Sequence, residues 1–357
     1  MAHADQRIPY SVGVGQQASW RSGMAMTEGG WVPMARTIMV PLDGSTFAEH
    51  ALPVALGLAR ACGGRVHLAQ AHEPPSIPAS PDILMPYDGE WDRAIRDNER
   101  SYLDSMANRV SERAGVTVRT ELLEGVPAMA LATYAREMEL DLIVMTTHGR
   151  SGLSRLWLGS VADGVVRRSG VPVLLMRPTD EEVDYEARLS PNHILVPLDG
   201  STLSRGIIEP AAWLGSLTGA RFTLLRVTVP VPVLRGPGPL SEDGFAAKLI
   251  VEQEQHAQAY LDGVASGLRS RGHEVETAIV SHVTPAAAIL EFAAENAVDV
   301  VAIATHGRGG WTRLALGSVA DKVLRGSVMP VMLYRPPAAK GTDTASRLDK
   351  DPAVAGQ

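Results

Sequence analysis

Two short stretches carry residue types suited to holding an anion, and they are copies of each other. Thr147-His148-Gly149-Arg150 is followed, after eight residues, by Gly159-Ser160-Val161-Ala162-Asp163. Thr305-His306-Gly307-Arg308 is followed, again after eight, by Gly317-Ser318-Val319-Ala320-Asp321. Glycine at 149 and 307 lets a ligand approach the backbone closely. A Gly-Ser pair opening a helix presents N–H groups and a hydroxyl where the helix dipole favours negative charge. His148 and His306 read as loop residues that bond backbone or pack beneath a ligand. Arg150 and Arg308 either reach a phosphate or lie in solvent. A second repeated group is acidic: Asp43 in Val40-Pro41-Leu42-Asp43-Gly44-Ser45, and Asp199 in Val196-Pro197-Leu198-Asp199-Gly200-Ser201. A carboxylate at a strand end suits ribose hydroxyls or a phosphate-bound Mg²⁺.

The elements that must bring these groups together follow from hydrophobic patterning. Thr37–Leu42 is a continuous apolar run, as buried parallel strands are. Thr46 and Glu49 form a capping-box pattern ahead of a helix whose apolar face is Ala51, Val54, Ala55, Leu58 and Cys62. Pro53 predicts a kink or a late start there. Further strands are expected at Arg65–Ala71, Val116–Leu123, up to Met145, and at Val171–Met176. Helices are expected over Trp91–Ala114, Pro127–Met138 and from Ser160. The proline-rich stretches Glu73–Gly89 and Pro230–Pro239 read as long loops. Repeat two follows the same order, with a long helix about Glu242–Arg271 and a last strand Pro330–Tyr334. Strands alternating with helices imply parallel βαβ units and a doubly wound α/β sheet. Ligands in such sheets bind beyond the carboxyl ends of the strands at the topological switch point. Asp43 and the Gly149 loop therefore converge on one crevice, and Asp199 and the Gly307 loop on another.

Composition bounds the possibilities. The 357 residues suffice for two domains, and 45% hydrophobic with 20% charged residues is ordinary globular composition. A net charge of −7 without a basic block argues against nucleic-acid binding. The lone Cys62 excludes an internal disulfide and reads as a small buried hydrophobe. No apolar run suits a membrane span and no signal-peptide pattern opens the chain, which predicts a cytoplasmic protein. There is no P-loop, no G-x-G-x-x-G after strand one and no G-x-S-x-G elbow.

Taken together, these residues resemble the universal stress protein family in its tandem form. The match is carried by the two strand-one ends and by the spacing Gly149, nine residues, Gly159-Ser160, repeated as Gly307, nine residues, Gly317-Ser318. The resemblance implies two doubly wound domains at 36–178 and 191–336, each with a five-stranded parallel sheet of order 3-2-1-4-5. Residues 179–190 are then a linker, and 1–35 and 337–357 disordered tails, the first 33 residues being alternatively an upstream mis-start. It implies ATP, with or without Mg²⁺, as ligand. Asp43 and Asp199 would contact the nucleoside, with Ala71 and Val227 against adenine. Gly149, Gly159, Ser160 and Val161 would hold the phosphates, as would Gly307, Gly317, Ser318 and Val319. The strand-five edges would pair the repeats as a pseudo-dimer, with an unidentified protein partner or a homodimer beyond that. The family's first loop glycine is Thr146 here and Ala304 in repeat two, and Val283 replaces Gly125, which is expected to crowd the second crevice. The function implied is a regulatory ATP-binding role in stress or dormancy. A slow Mg-dependent ATPase and a nucleotide-free chaperone-like module are the alternatives.

Overall fold

The computed structural model describes residues 24–27, 30–33, 36–74, 89–147, 158–179, 181–185, 190–230, 245–305 and 316–335. Short strands β1 (Met24–Thr27) and β2 (Gly30–Pro33) pair antiparallel, inside the segment read from sequence as a tail.

Repeat one then runs β3 (Thr37–Pro41), α1 (Thr46–Glu49), α2 (Leu52–Cys62), β4 (Arg65–His72), α3 (Gly89–Ala114), β5 (Thr117–Glu124), α4 (Pro127–Glu137), β6 (Leu142–Thr146), α5 (Ser160–Arg168) and β7 (Val173–Met176). Repeat two runs β8 (His193–Pro197), a 3-10 turn Ser204–Ile207, α6 (Ile208–Thr218), β9 (Arg221–Thr228), α7 (Phe245–Arg269), β10 (Val275–Ser281), α8 (Pro285–Glu295), β11 (Val300–Ala304), α9 (Ser318–Gly326) and β12 (Val331–Tyr334). The break expected at Pro53 is a separate helix start, with the proline in the first turn of α2, where its missing N–H costs nothing. The cap of α1 is Ser45 rather than Thr46: its side chain accepts from the Ala48 N–H. Glu49 is buried instead of reaching back to a cap, because Tyr102 and Tyr185 donate their hydroxyls to it at 3.0 and 2.8 Å. Tyr185 lies between the repeats in sequence, so this contact ties the connecting segment to repeat one.

The order β5-β4-β3-β6-β7 is the doubly wound arrangement 3-2-1-4-5, and repeat two matches it. The two last strands meet antiparallel, with Leu174 opposite Met332, and fuse both halves into one ten-stranded sheet. One apolar layer under α1, α2, α3, α6 and α7 runs across both repeats. A second under α4, α5, α8 and α9 covers the other face. The seam is reciprocal beyond the strands. Arg177 donates to the Arg325 carbonyl at the end of α9, and Arg335 donates to the Arg167 carbonyl near the end of α5. Arg36, paired with Asp141 at 2.6 Å, also stacks 5.9 Å over the Trp213 ring of the other repeat.

Three histidines in this framework are held below their ordinary pKa of 6.5 by burial: His67, His193 and His273. His67 is bonded to the Tyr134 hydroxyl, and His193 sits between the Asn296 carbonyl and the Thr223 hydroxyl. Each takes a proton less readily in the folded chain than in the unfolded one. Their stabilising contribution is therefore complete above the unfolded pKa and falls as pH drops below it. Thermal melts should show decreasing stability from about pH 7.5 to about pH 5.5, each site adding up to about 1.4 kcal/mol per pH unit. His273 stacks edge-on to Phe222 and its Nε2 is buried without a partner. His273→Phe is expected to flatten that slope, and an unchanged slope would exclude it as a contributor.

Candidate functional site

At the carboxyl ends of β3, β4 and β6 the strands diverge around a cleft of about 390 Å³. Of the residues singled out in repeat one, Pro41, Asp43, Ala71, Thr146, Gly159, Ser160 and Val161 line it together. Gly44 and Ser45 stand behind Asp43. Gly44 has φ +79°, which turns the chain so that the Ser45 N–H and hydroxyl both reach the Asp43 Oδ1, at 3.0 and 2.5 Å. That turn fixes the carboxylate at the mouth of the crevice. His148, Gly149 and Arg150 lie outside the described residues, as do His306, Gly307 and Arg308.

The donors opposite Asp43 are those of α5, and here the sequence reading needs a correction. The Gly159 N–H is not available, because it donates to the Thr147 carbonyl at 2.8 Å and closes the base of the loop. Gly317 does the same to Thr305 at 2.6 Å. The N–H groups without an intrahelical partner are instead those of Ser160, Val161 and Ala162, the first helical turn. No side chain caps that turn, and all three residues line the cleft. Close packing aims the helix: a Cβ on Gly164 would stand 2.4 Å from the Ala128 Cβ, so only glycine lets α5 lie this near α4. Thr146 and Ala304, which the resemblance sets against glycine, are buried strand residues, and neither is among the residues of positive φ. Nothing in their backbone calls for glycine there.

The sequence reading missed several lining residues. Leu42, Ala48, Gln70, Glu73, Glu99, Pro127, Leu131, Met145 and Thr147 complete the walls. Glu99 accepts from His72, whose second ring nitrogen faces Asp92 at 3.0 Å. His72 is fully buried, so this contact fastens α3 as the far wall. Arg96 extends the fastening to Asp92 and Glu124. The cleft is thus polarised, with carboxylates at the β4 end and a helix N-terminus at the β6 end.

Repeat two keeps the same frame with a different interior. Pro197 ends β8, Ala304 ends β11, and Gly317 precedes Ser318 and Val319 at the start of α9. Asp199 accepts from the Ser201 N–H at 2.9 Å, with Gly200 at φ +82°. Val227 is half-buried in β9. Val283, expected to crowd this crevice, is 74% exposed. A cleft of about 380 Å³ lies toward the β9 side, lined by Gly200, Arg226, Thr228, Glu252, His256 and Tyr260 among others. Its lining does not include Ser318 or Val319.

Among the described residues no group of His, Cys, Asp or Glu is arranged to hold a metal ion, and no helix is long and apolar enough to cross a membrane.

Comparison with known proteins gives a consistent result. The sequence profile of the universal stress protein family matches residues 34–177 and again 191–335. A universal stress protein of Mycobacterium tuberculosis is 28% identical over 309 residues, spanning 84% of this chain and 96% of that one. A universal stress protein of Methanocaldococcus jannaschii is 31% identical over 150 residues, 41% of this chain and 85% of its own length. Among solved structures, a universal stress protein from Archaeoglobus fulgidus superposes with TM-score 0.59. It is 21% identical and covers 85% of this chain and 98% of its own, a likeness of fold.

Proposed function

The chain belongs to the universal stress protein family, and on that premise we propose that it is an ATP-binding regulator acting in the cytosol. The observation that carries this reading is the single crevice shared by Asp43 and the uncapped first turn of α5. Its volume of about 390 Å³ falls in the range of small-molecule sites. In this reading the triphosphate meets the N–H groups of Ser160, Val161 and Ala162 and the Ser160 hydroxyl, each contact to charged oxygen worth about 1.5–3 kcal/mol. The ribose hydroxyls meet Asp43, and the base lies against Ala71. Mg²⁺ enters bound to the triphosphate. Gly149, with its sequence neighbours His148 and Arg150, is a further phosphate contact in this reading, and the equivalent groups of repeat two serve a second ligand.

Its output is nucleotide-dependent shape or partner binding in a stress or dormancy response. The supporting residues also fit ATP chemically. Gln70, which lines the same cleft, carries a buried carboxamide oxygen with no partner. Equilibrium dialysis of the full chain, stripped of co-purified nucleotide, tests the reading. Saturable ATP binding with at least one equivalent per chain is expected, and no binding would end it.

A further inference from the structure

Strands β4 and β9 are equivalent at an offset of 156, which puts Arg226 of repeat two where repeat one has Gln70. We propose that this one position gives the two clefts opposite selectivity. Gln70 makes the first select a ring bearing an exocyclic amine, and Arg226 makes the second select a pair of hydrogen-bond acceptors.

Gln70 is 4% exposed and lines the first cleft, and its Oε1 is buried without a hydrogen-bond partner. A buried acceptor left unpaired is costly, and a ligand N–H at that point removes the cost. A carboxamide accepts and donates side by side, which is the complement of the amine and ring nitrogen of an adenine edge. The neighbouring carboxylates Asp43, Glu73 and Glu99 reinforce the preference for donors there.

Arg226 reverses this. Its Nη1 donates to the Leu198 carbonyl at 3.1 Å, anchoring the guanidinium at the end of β8. A guanidinium only donates, and its planar fork matches two adjacent acceptors. Tyr260 faces the same cleft, and its hydroxyl oxygen is buried with no hydrogen bond of normal geometry. Ser204 lies nearby, but its hydroxyl donates to the Ser201 carbonyl at 2.9 Å. Glu99, which faces the first cleft, has Ala257 as its counterpart on α7, so one carboxylate is also removed. His256 and Glu252 stand exposed at the rim. Two ligands offer the required acceptor pair, a 6-oxopurine ring and a free phosphate or carboxylate.

The Gln70 half rests on the ATP reading above, and the Arg226 half does not. Calorimetric titration of the full chain with ATP, guanosine and inorganic phosphate separates them, using wild type, Gln70→Leu and Arg226→Gln. Wild type should bind guanosine or phosphate, the first identifying a ring and the second a free anion. Arg226→Gln should weaken that binding about tenfold or more and leave the stronger ATP site unchanged. Gln70→Leu should weaken ATP about tenfold or more and leave the other ligand unaffected. Wild-type affinity in Arg226→Gln, or binding of neither guanosine nor phosphate by wild type, overturns the second half. Unchanged ATP affinity in Gln70→Leu overturns the first. Absence of all ATP binding refutes the functional reading while leaving the Arg226 result to stand by itself.

Discussion

Replacing Ser160 by aspartate should lower ATP affinity by about a hundredfold while leaving the melting temperature unchanged or slightly raised. Ser160 is exposed and is the first residue of α5, so the carboxylate causes no steric conflict. It places a negative charge within a few ångströms of the proposed phosphate position. Two like charges about 4 Å apart near a protein surface repel by about 4 kcal/mol before salt screening, more than a hundredfold requires. The same carboxylate favours folding, since an acid in the first turn of a helix stabilises it by about 0.3–1 kcal/mol. The opposite signs separate binding from stability. Ser160→Ala loses one hydroxyl contact and should cost less than about tenfold. Calorimetry and thermal melting on the three proteins check the prediction, and wild-type affinity in Ser160→Asp would remove α5 from the site.

The second large effect concerns the seam. Leu174→Asp should destabilise the chain by about 4–5 kcal/mol, against about 2–4 for Leu174→Ala. Leu174 is fully buried, opposite the equally buried Met332, where the last strands of the two repeats pair. A carboxylate there has no partner, and its burial penalty adds to the lost packing. Urea unfolding measures the stability difference. Small-angle scattering reports whether the two halves separate before they unfold. A loss below about 1 kcal/mol would mean that the seam contributes little to stability.

Much of this architecture was legible in the sequence for a definite reason. Buried parallel strands must be continuous in apolar residues, and the duplication displayed each of them twice. Asp43 and Gly44 were readable because a strand end, an acid and a turn glycine form one local signal. The Gly159 N–H was misread as a free donor, because its commitment to Thr147 spans the intervening loop and no local pattern encodes it. Gln70 and Glu99 were missed for the same kind of reason. They sit inside an ordinary strand and an ordinary helix, and only tertiary packing brings them to one wall. Arg226 is visible as a difference between the repeats, but its meaning depends on the Leu198 carbonyl that it reaches.

The reciprocal arginines at the seam have a consequence for dilution. Each helix that starts at a proposed phosphate site has Arg167 or Arg325 near its other end, with a carbonyl held by the opposite repeat. In a pair of separate subunits such a contact would vanish at low concentration. Here covalent tethering sets its local concentration at roughly millimolar whatever the amount of protein present. A scarce protein would therefore keep its two sites joined as firmly as an abundant one.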